Sequence, residues 1–229
     1  MAVPYYVSPE QMYQDKAEYA RKGIARGKPI VALEYEHGIL MAAENTSQTL
    51  RKISEAYDRI SFAGVGKFDE YENLRKAGIR YCDFKGYNYC REDVAAKNLA
   101  NEYSTLLGGI FTREMKPFEV EILVAELDSE GQGSCFYQIM FDGFIADHSR
   151  FAAIGGDSEE LVKLLSDSWE SGISLSTGVR IACDALGRAA NASANLDQEN
   201  LEIATLDRRL EGRSFRRLDA EAIRALATE

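Results

Sequence analysis

Two histidines, four cysteines and one lysine placed after a polar loop are the residues of this 229-residue chain that invite chemistry. Asp147-His148-Ser149 has the letters of a hydrolytic triad. Three adjacent residues cannot easily face one another as a triad requires, so His148 reads as part of a solvated surface segment. His37 falls in a predicted turn. The cysteines Cys82, Cys90, Cys135 and Cys183 form no C-x-x-C pair, and no histidine follows at metal-ligand spacing. They read as separate reduced thiols, and neither a metal nor a cofactor is expected. Gly64-Val65-Gly66-Lys67 resembles a fragment of a phosphate loop, but its spacing is incomplete and Phe68 stands where a hydroxyl is needed. It reads as a strand-to-helix turn, and Gly155-Gly156 as a turn before a capped helix. Lys52 opens a strand after a polar loop. A lysine there is either simply solvated or a point charge for an incoming carboxylate.

The elements that must position these residues follow from periodicity. Ser8 is placed to cap a helix to Lys22, with Pro9 in its first turn and Gln11 closing a capping box. Val7 and Met12 have the spacing of a hydrophobic staple. Tyr13, Ala17, Ala20 and Ile24 give one apolar stripe, and Gly23 is placed to end the helix. Strand-like runs follow at Ile30 to Tyr35 and Ile39 to Ala43, joined through Glu36-His37-Gly38. Further strand regions open at Lys52-Ile53 and run from Ile60 to Val65. Helical spacing is predicted from Lys67 to Ala77 and from Arg91 to Thr112. In the second of these Val94, Leu99, Tyr103, Leu106 and Ile110 are the apolar positions.

Strands resume at Phe118 to Asp128, Cys135 to Phe141 and Phe151 to Ile154. Helices are expected from Ser158 to Trp169, with Asp157 and Glu160 as a capping box, and from Leu175 to Ala190. A strand pair at Leu201 to Asp207 and Ser214 to Arg217 closes the chain, before a short helix capped by Asp219. Tight turns between successive strands make the sheets mainly antiparallel. The class is therefore α+β: a four-layer αββα sandwich with an extra N-terminal helix, in one domain over 1–229.

Composition narrows the function classes. Net charge is −10, which argues against a nucleic-acid surface or an anionic membrane and leaves room for basic partners. The start, Met1-Ala2-Val3-Pro4-Tyr5-Tyr6, lacks a basic region followed by an apolar run, so no signal peptide is expected. No stretch approaches the apolar length of a membrane span, and a cytoplasmic location is expected.

The assembled segments resemble the alpha subunits of the 20S proteasome, of actinobacterial type, in the N-terminal nucleophile hydrolase superfamily. The resemblance is carried by Ser8-Pro9-Glu10, Glu18 to Arg26, Ile30 to Leu33, Ala43-Glu44-Asn45, Lys52 to Glu55 and Tyr57-Asp58-Arg59. It continues through Gly66-Lys67-Phe68, Glu72 to Arg75, Leu99-Ala100-Asn101, Lys116 to Glu121 and Phe215 to Leu218. It covers nearly the whole chain and is weakest at Ser129 to Ser134 and Asn191 to Asn200.

The resemblance implies the sandwich already read from the pattern. It also separates two kinds of subunit. In the catalytic kind an N-terminal Thr opens the first strand, and its own amine serves as base. Here that strand begins Lys28-Pro29-Ile30 behind a helix, and a mid-chain amide is no base. The sibling's Asp after the second strand corresponds to Glu44, and its active-site Lys falls near Lys52.

A non-catalytic subunit of a homo-heptameric outer ring is thus implied, stacked on rings of the catalytic beta subunit. Residues 1–7, with Pro4, Tyr5, Tyr6 and Val7, would form a pore gate, and the helix over 8–23 would help neighbours pack. Lys52 would receive the C-terminal carboxylate of an ATP-dependent unfoldase ring. Two alternatives are an active threonine hydrolase of the same fold, with Thr46 or Thr49 exposed by cleavage, and an unrelated cytosolic binding module.

Overall fold

Apolar strand runs and amphipathic helices account for most of the chain. The computed structural model describes residues 8–47, 49–127, 133–189 and 200–228. Helix α1 spans Pro9–Ala25, and Ser8 caps it by accepting the Gln11 N–H at 3.2 Å. Two strands follow, β1 (Ile30–Tyr35) and β2 (Gly38–Glu44). They form an antiparallel hairpin in which Ile30 faces Ala43 and Tyr35 faces Gly38. Then come β3 (Ile53–Tyr57), β4 (Ile60–Gly66), α2 (Phe68–Asn88) and α3 (Ala96–Arg113). Four strands follow: β5 (Val120–Leu127), β6 (Ser134–Ile139), β7 (Ile145–Ser149) and β8 (Phe151–Ile154). The chain closes with α4 (Ser158–Ser168), α5 (Leu175–Ala189), β9 (Leu201–Asp207), β10 (Phe215–Arg217) and α6 (Ala220–Thr228).

Among the described residues two five-stranded sheets result, ordered β10-β9-β2-β1-β8 and β3-β4-β5-β6-β7, and every strand pair is antiparallel. Side chains that alternate along each strand build three apolar layers. Ile30, Met41, Ala63, Leu123 and Phe136 fill the space between the sheets. Phe62, Ile122 and Val124 point to the other face of their sheet and pack on Leu74, Leu99, Tyr103 and Leu107 of α2 and α3. Val31, Leu33 and Leu40 pack on Leu161, Leu165, Val179 and Ala182 of α4 and α5. This is the expected αββα sandwich, with α1 lying against β4 and β5.

Several local expectations give way to packing. Gly23 does not end α1, which continues two residues further; a Cβ there would meet the Glu119 side chain at 2.2 Å. Helix α2 likewise passes Ala77 and runs to Asn88, and a Cβ on Gly78 would lie 1.8 Å from the Tyr103 hydroxyl of α3. Both glycines are close-approach positions inside helices, where sequence alone suggests punctuation.

The stretch from Arg91 divides into a 3₁₀ turn over Arg91–Asp93 and α3 proper, with Val94 extended between them. Leu107, not Leu106, supplies the buried side chain there. Only half of the first capping box forms, because Gln11 turns its amide to Asp15 at 2.7 Å. Val7, the other half of the expected staple, lies outside the described residues. Asp157 has a left-handed backbone and makes no side-chain cap, so that capping box is absent. Asp219 does cap α6, accepting the Ala222 N–H at 2.8 Å. Finally, the Ile145–Ser149 segment is a strand, so His148 is a sheet residue and not part of a solvated loop.

Candidate functional site

The residues of the sharpest expectation converge where α1 hands over to β1. After the last turn of α1, where the Arg26 N–H returns to the Gly23 carbonyl and the Gly27 N–H to that of Ile24, the chain passes through Lys28 and Pro29 into Ile30. Lys28 is held by peptide bonds on both sides, so no free amine stands at the head of this strand. Its side chain pairs with Glu44, the last residue of β2, at 3.1 Å. The register places this pair together, because Ile30 opens β1 opposite Ala43.

Lys52 completes the group. Its Nζ donates to the Lys28 carbonyl at 2.9 Å. Burial pushes this ammonium down to about 8, against the pull of Glu202 and Glu44, and Lys28 adds repulsion. A half-buried ammonium that burial disfavours gains from an added anion. Lys28, Glu44 and Lys52, singled out one by one from the sequence, are therefore neighbours.

Glu202 is what sequence reasoning missed. It lies on β9 opposite Ala43 and is only 3% exposed. Its carboxylate accepts the backbone N–H groups of Lys52 at 3.0 Å and Ile53 at 3.2 Å, and the Asn45 amide at 2.6 Å. Arg217 from β10 pairs with it as well, and spends its second nitrogen on the Ile53 carbonyl at 2.6 Å. One buried carboxylate thus ties four strands together beneath the lysine and fixes where Lys52 begins its strand. The available signal is a charged residue in the otherwise apolar run Leu201-Glu202-Ile203-Ala204.

The other candidates have structural roles. His37 sits in the β1–β2 turn, 3.7 Å from Glu36. His148 contacts the Gln138 side-chain oxygen at 2.8 Å across β6 and β7. Gln138 in turn donates to the buried Glu121, whose other oxygen accepts the Gly155 N–H at 2.8 Å. Gly66-Lys67 is a strand-to-helix junction in which Lys67 pairs with Asp69 and Glu70. Burial pushes the Cys82 thiol up to about 12 and the Cys183 thiol up to about 11, away from nucleophilic use. Among the described residues no group of His, Cys, Asp and Glu could hold a metal, and no helix is long and apolar enough to cross a membrane. Cleavage before Thr46 would strip β1 and β2 from the middle of their sheet. Pro4, Tyr5, Tyr6 and Val7 lie outside the described residues.

Helix α1 turns two faces. Ala20 and Ile24 are buried, while Met12, Tyr13 and Tyr19 stay exposed. Lys16 is buried through its stem, and its Nζ donates to the carbonyls of Phe111 at 3.1 Å and Glu114 at 2.6 Å, at the end of α3. Beside it a groove of about 670 Å³ runs between α1 and Met115, Lys116 and Pro117.

Comparison with known proteins agrees with this geometry. A family model described as "Proteasome subunit" matches residues 24–206. A protein of Kineococcus radiotolerans named "Proteasome subunit alpha" is 47% identical over 99% of this chain and 98% of its own length. A protein of the same name from Xylanimonas cellulosilytica is 48% identical, covering 97% of this chain and 95% of its own length. A third, from Thermobifida fusca, is 45% identical over 100% of this chain and 92% of its own length.

Proposed function

From the premise that the chain belongs to the proteasome subunit family, as its alpha-named relatives do, we propose that it is the non-catalytic ring and gating subunit of a cytoplasmic protein-degrading particle. The observation that carries this reading is the head of β1. The position that an N-terminal nucleophile would occupy holds Lys28, peptide-bonded behind a capped 17-residue helix, with Lys52 donating to its carbonyl. Without a free amine there is no internal base, so catalysis belongs to the beta subunit.

Copies of the chain form a homo-heptameric ring stacked on the beta rings. The exposed α1 face with Met12 and Tyr19 suits contact with neighbouring copies. The chain acts as one domain. Residues 1–7, with Pro4, Tyr5, Tyr6 and Val7, act as the gate ahead of the helix over 8–23.

Lys52 receives the terminal carboxylate of an ATP-dependent unfoldase ring. Support for this comes from a half-buried ammonium beside Lys28 whose backbone is clamped by Glu202. Docking there shifts the gate toward its open state without chemistry.

Co-expression with a beta-type subunit, then sizing and particle imaging, tests the assembly: stacked sevenfold rings are expected, and persistent monomers refute it. In the assembled particle, Lys52→Ala is expected to abolish unfoldase-stimulated degradation while leaving rings intact. Deleting residues 1–7 is expected to raise basal peptide hydrolysis. Normal stimulation in the first variant, or unchanged hydrolysis in the second, removes the corresponding role.

A further inference from the structure

Lys28 serves the site twice, once through its backbone and once through its side chain. Pro29 follows it, and a residue before proline is steered to extended backbone, which fixes where the Lys28 carbonyl points. That carbonyl accepts from the Lys52 Nζ at 2.9 Å. An ammonium carries three donors, and the others on Lys52 have no hydrogen-bond partner among the described residues. The Lys28 ammonium itself is turned to Glu44 at 3.1 Å.

The two members of that pair differ in freedom. Glu44 is the last residue of β2, level with Leu201 of β9, and its side chain is 18% exposed. Its carboxylate stays where the strand ladder puts it. Lys28 lies in the connector from α1 to β1, on a flexible four-carbon stem that is 53% exposed. An ion pair this open to water is weak, so Lys28 changes partner at little cost.

Charge balance shows what the site lacks. Glu44 and Glu202 attract the Lys52 ammonium and Lys28 repels it, while Glu202 is already matched by Arg217. Lys28, Lys52 and Arg217 therefore face the carboxylates of Glu44 and Glu202, and one positive charge is left over. A single added carboxylate completes this balance, whereas a doubly charged phosphate overshoots it. Glu44 already fills part of the field that such a carboxylate would use.

We propose that Glu44 is a resident competitor in the docking site. It holds Lys28 aside until the terminal carboxylate of a partner arrives, and that carboxylate then draws Lys28 across and shares its oxygens between Lys28 and Lys52. This rests on the docking reading of Lys52 and adds a second cation and a built-in brake. Free anions in solution do not displace Glu44, and a carboxylate delivered at high local concentration by a docked ring does.

The test uses the particle assembled with the beta-type subunit. The probe is a fluorescein-labelled peptide copying the C-terminus of the unfoldase, with its carboxylate free, and binding is read by fluorescence anisotropy. Glu44→Gln keeps the shape, releases Lys28 and is expected to tighten binding about fivefold. Lys28→Ala leaves the carbonyl that holds Lys52 and is expected to weaken binding about fivefold. In the double variant the gain from Glu44→Gln is expected to fall below about twofold, because the cation it released is gone. The same peptide amidated at its C-terminus should gain nothing from Glu44→Gln. Particle imaging checks that each variant still forms rings.

Unchanged or weaker binding in Glu44→Gln overturns the proposal. So does a gain that persists in full without Lys28, which marks a general charge effect. Lys52→Ala separates the two claims. If that variant binds the peptide like the unaltered chain, the docking reading falls. If it abolishes binding while Glu44→Gln changes nothing, the docking reading stands and the competitor falls.

Discussion

Two buried glutamates sit in the two sheets of this fold and live in opposite ways. Glu202 and Glu121 are 3% and 7% exposed, and each is the charged exception in an apolar strand. Glu202 has a guanidinium and three N–H groups around it. Glu121 has the Gln138 amide and the Gly155 N–H and, among the described residues, no cation in ion-pair contact. Burial pushes its carboxyl up from the ordinary value of 4.5. The contrast teaches that burial does not decide whether a carboxylate is an anchor; its partners do. Glu202 is an ionic knot under Lys52, whereas Glu121 is a polar pin joining β5, β6 and the turn after β8.

Removing the anchors should separate the two regions by size of effect. Glu202→Ala leaves Arg217 unpaired and strands the Lys52 and Ile53 N–H groups. A loss of about 3–5 kcal/mol is expected in urea denaturation, and a loss under 1 kcal/mol would dissolve the contrast. Asn45→Ala removes one donor from the same knot, together with the Asn45 bonds to Leu50 and Ser47. It should cost about 2 kcal/mol by the same measurement. Glu121→Gln keeps the shape and should change stability at neutral pH by at most about 1 kcal/mol.

The sharper test of Glu121 is the pH profile. A carboxyl raised in the fold binds more protons folded than unfolded above pH 4.5, so its contribution is full below that value and declines as pH rises through the raised pKa. Glu121→Gln should flatten that part of the stability curve. An unchanged slope would assign it to other groups. Lys52 gives the smallest readout: capture of a carboxylate should weaken as pH rises past about 8, followed by unfoldase-stimulated degradation at pH 7 and 9.

The same two regions mark the limits of reading a chain by eye. Strands with a local partner were legible: the Gly38 hairpin, the Leu201–Asp207 run and the alternation that sets the three apolar layers. Gly23 misled because its reason is the distant Glu119 side chain, and the run of α2 past Ala77 was hidden because Gly78 answers to Tyr103 of α3; neither contact is visible to local periodicity. Strand β7 was missed because its residues, from Ile145 to Ser149, mix polar and apolar on a half-covered edge. Lys52 was legible as a lone cation, and its ties to Lys28 and Glu44 were suggested by resemblance. Glu202 was not, since it meets Lys52 across a separation of 150 residues, and only strand order brings them together.

The hydrogen bond from Lys52 to the Lys28 carbonyl has a mechanical reading. Lys28 stands three residues beyond the end of α1, a rod of 17 residues and therefore about 25 Å long. Ala20 and Ile24 seat the far half of the rod in the core, while its first turns lie open to solvent. The bond therefore ties the head of β3 to the connector that leaves this rod, which is itself pinned further up where Lys16 reaches the end of α3.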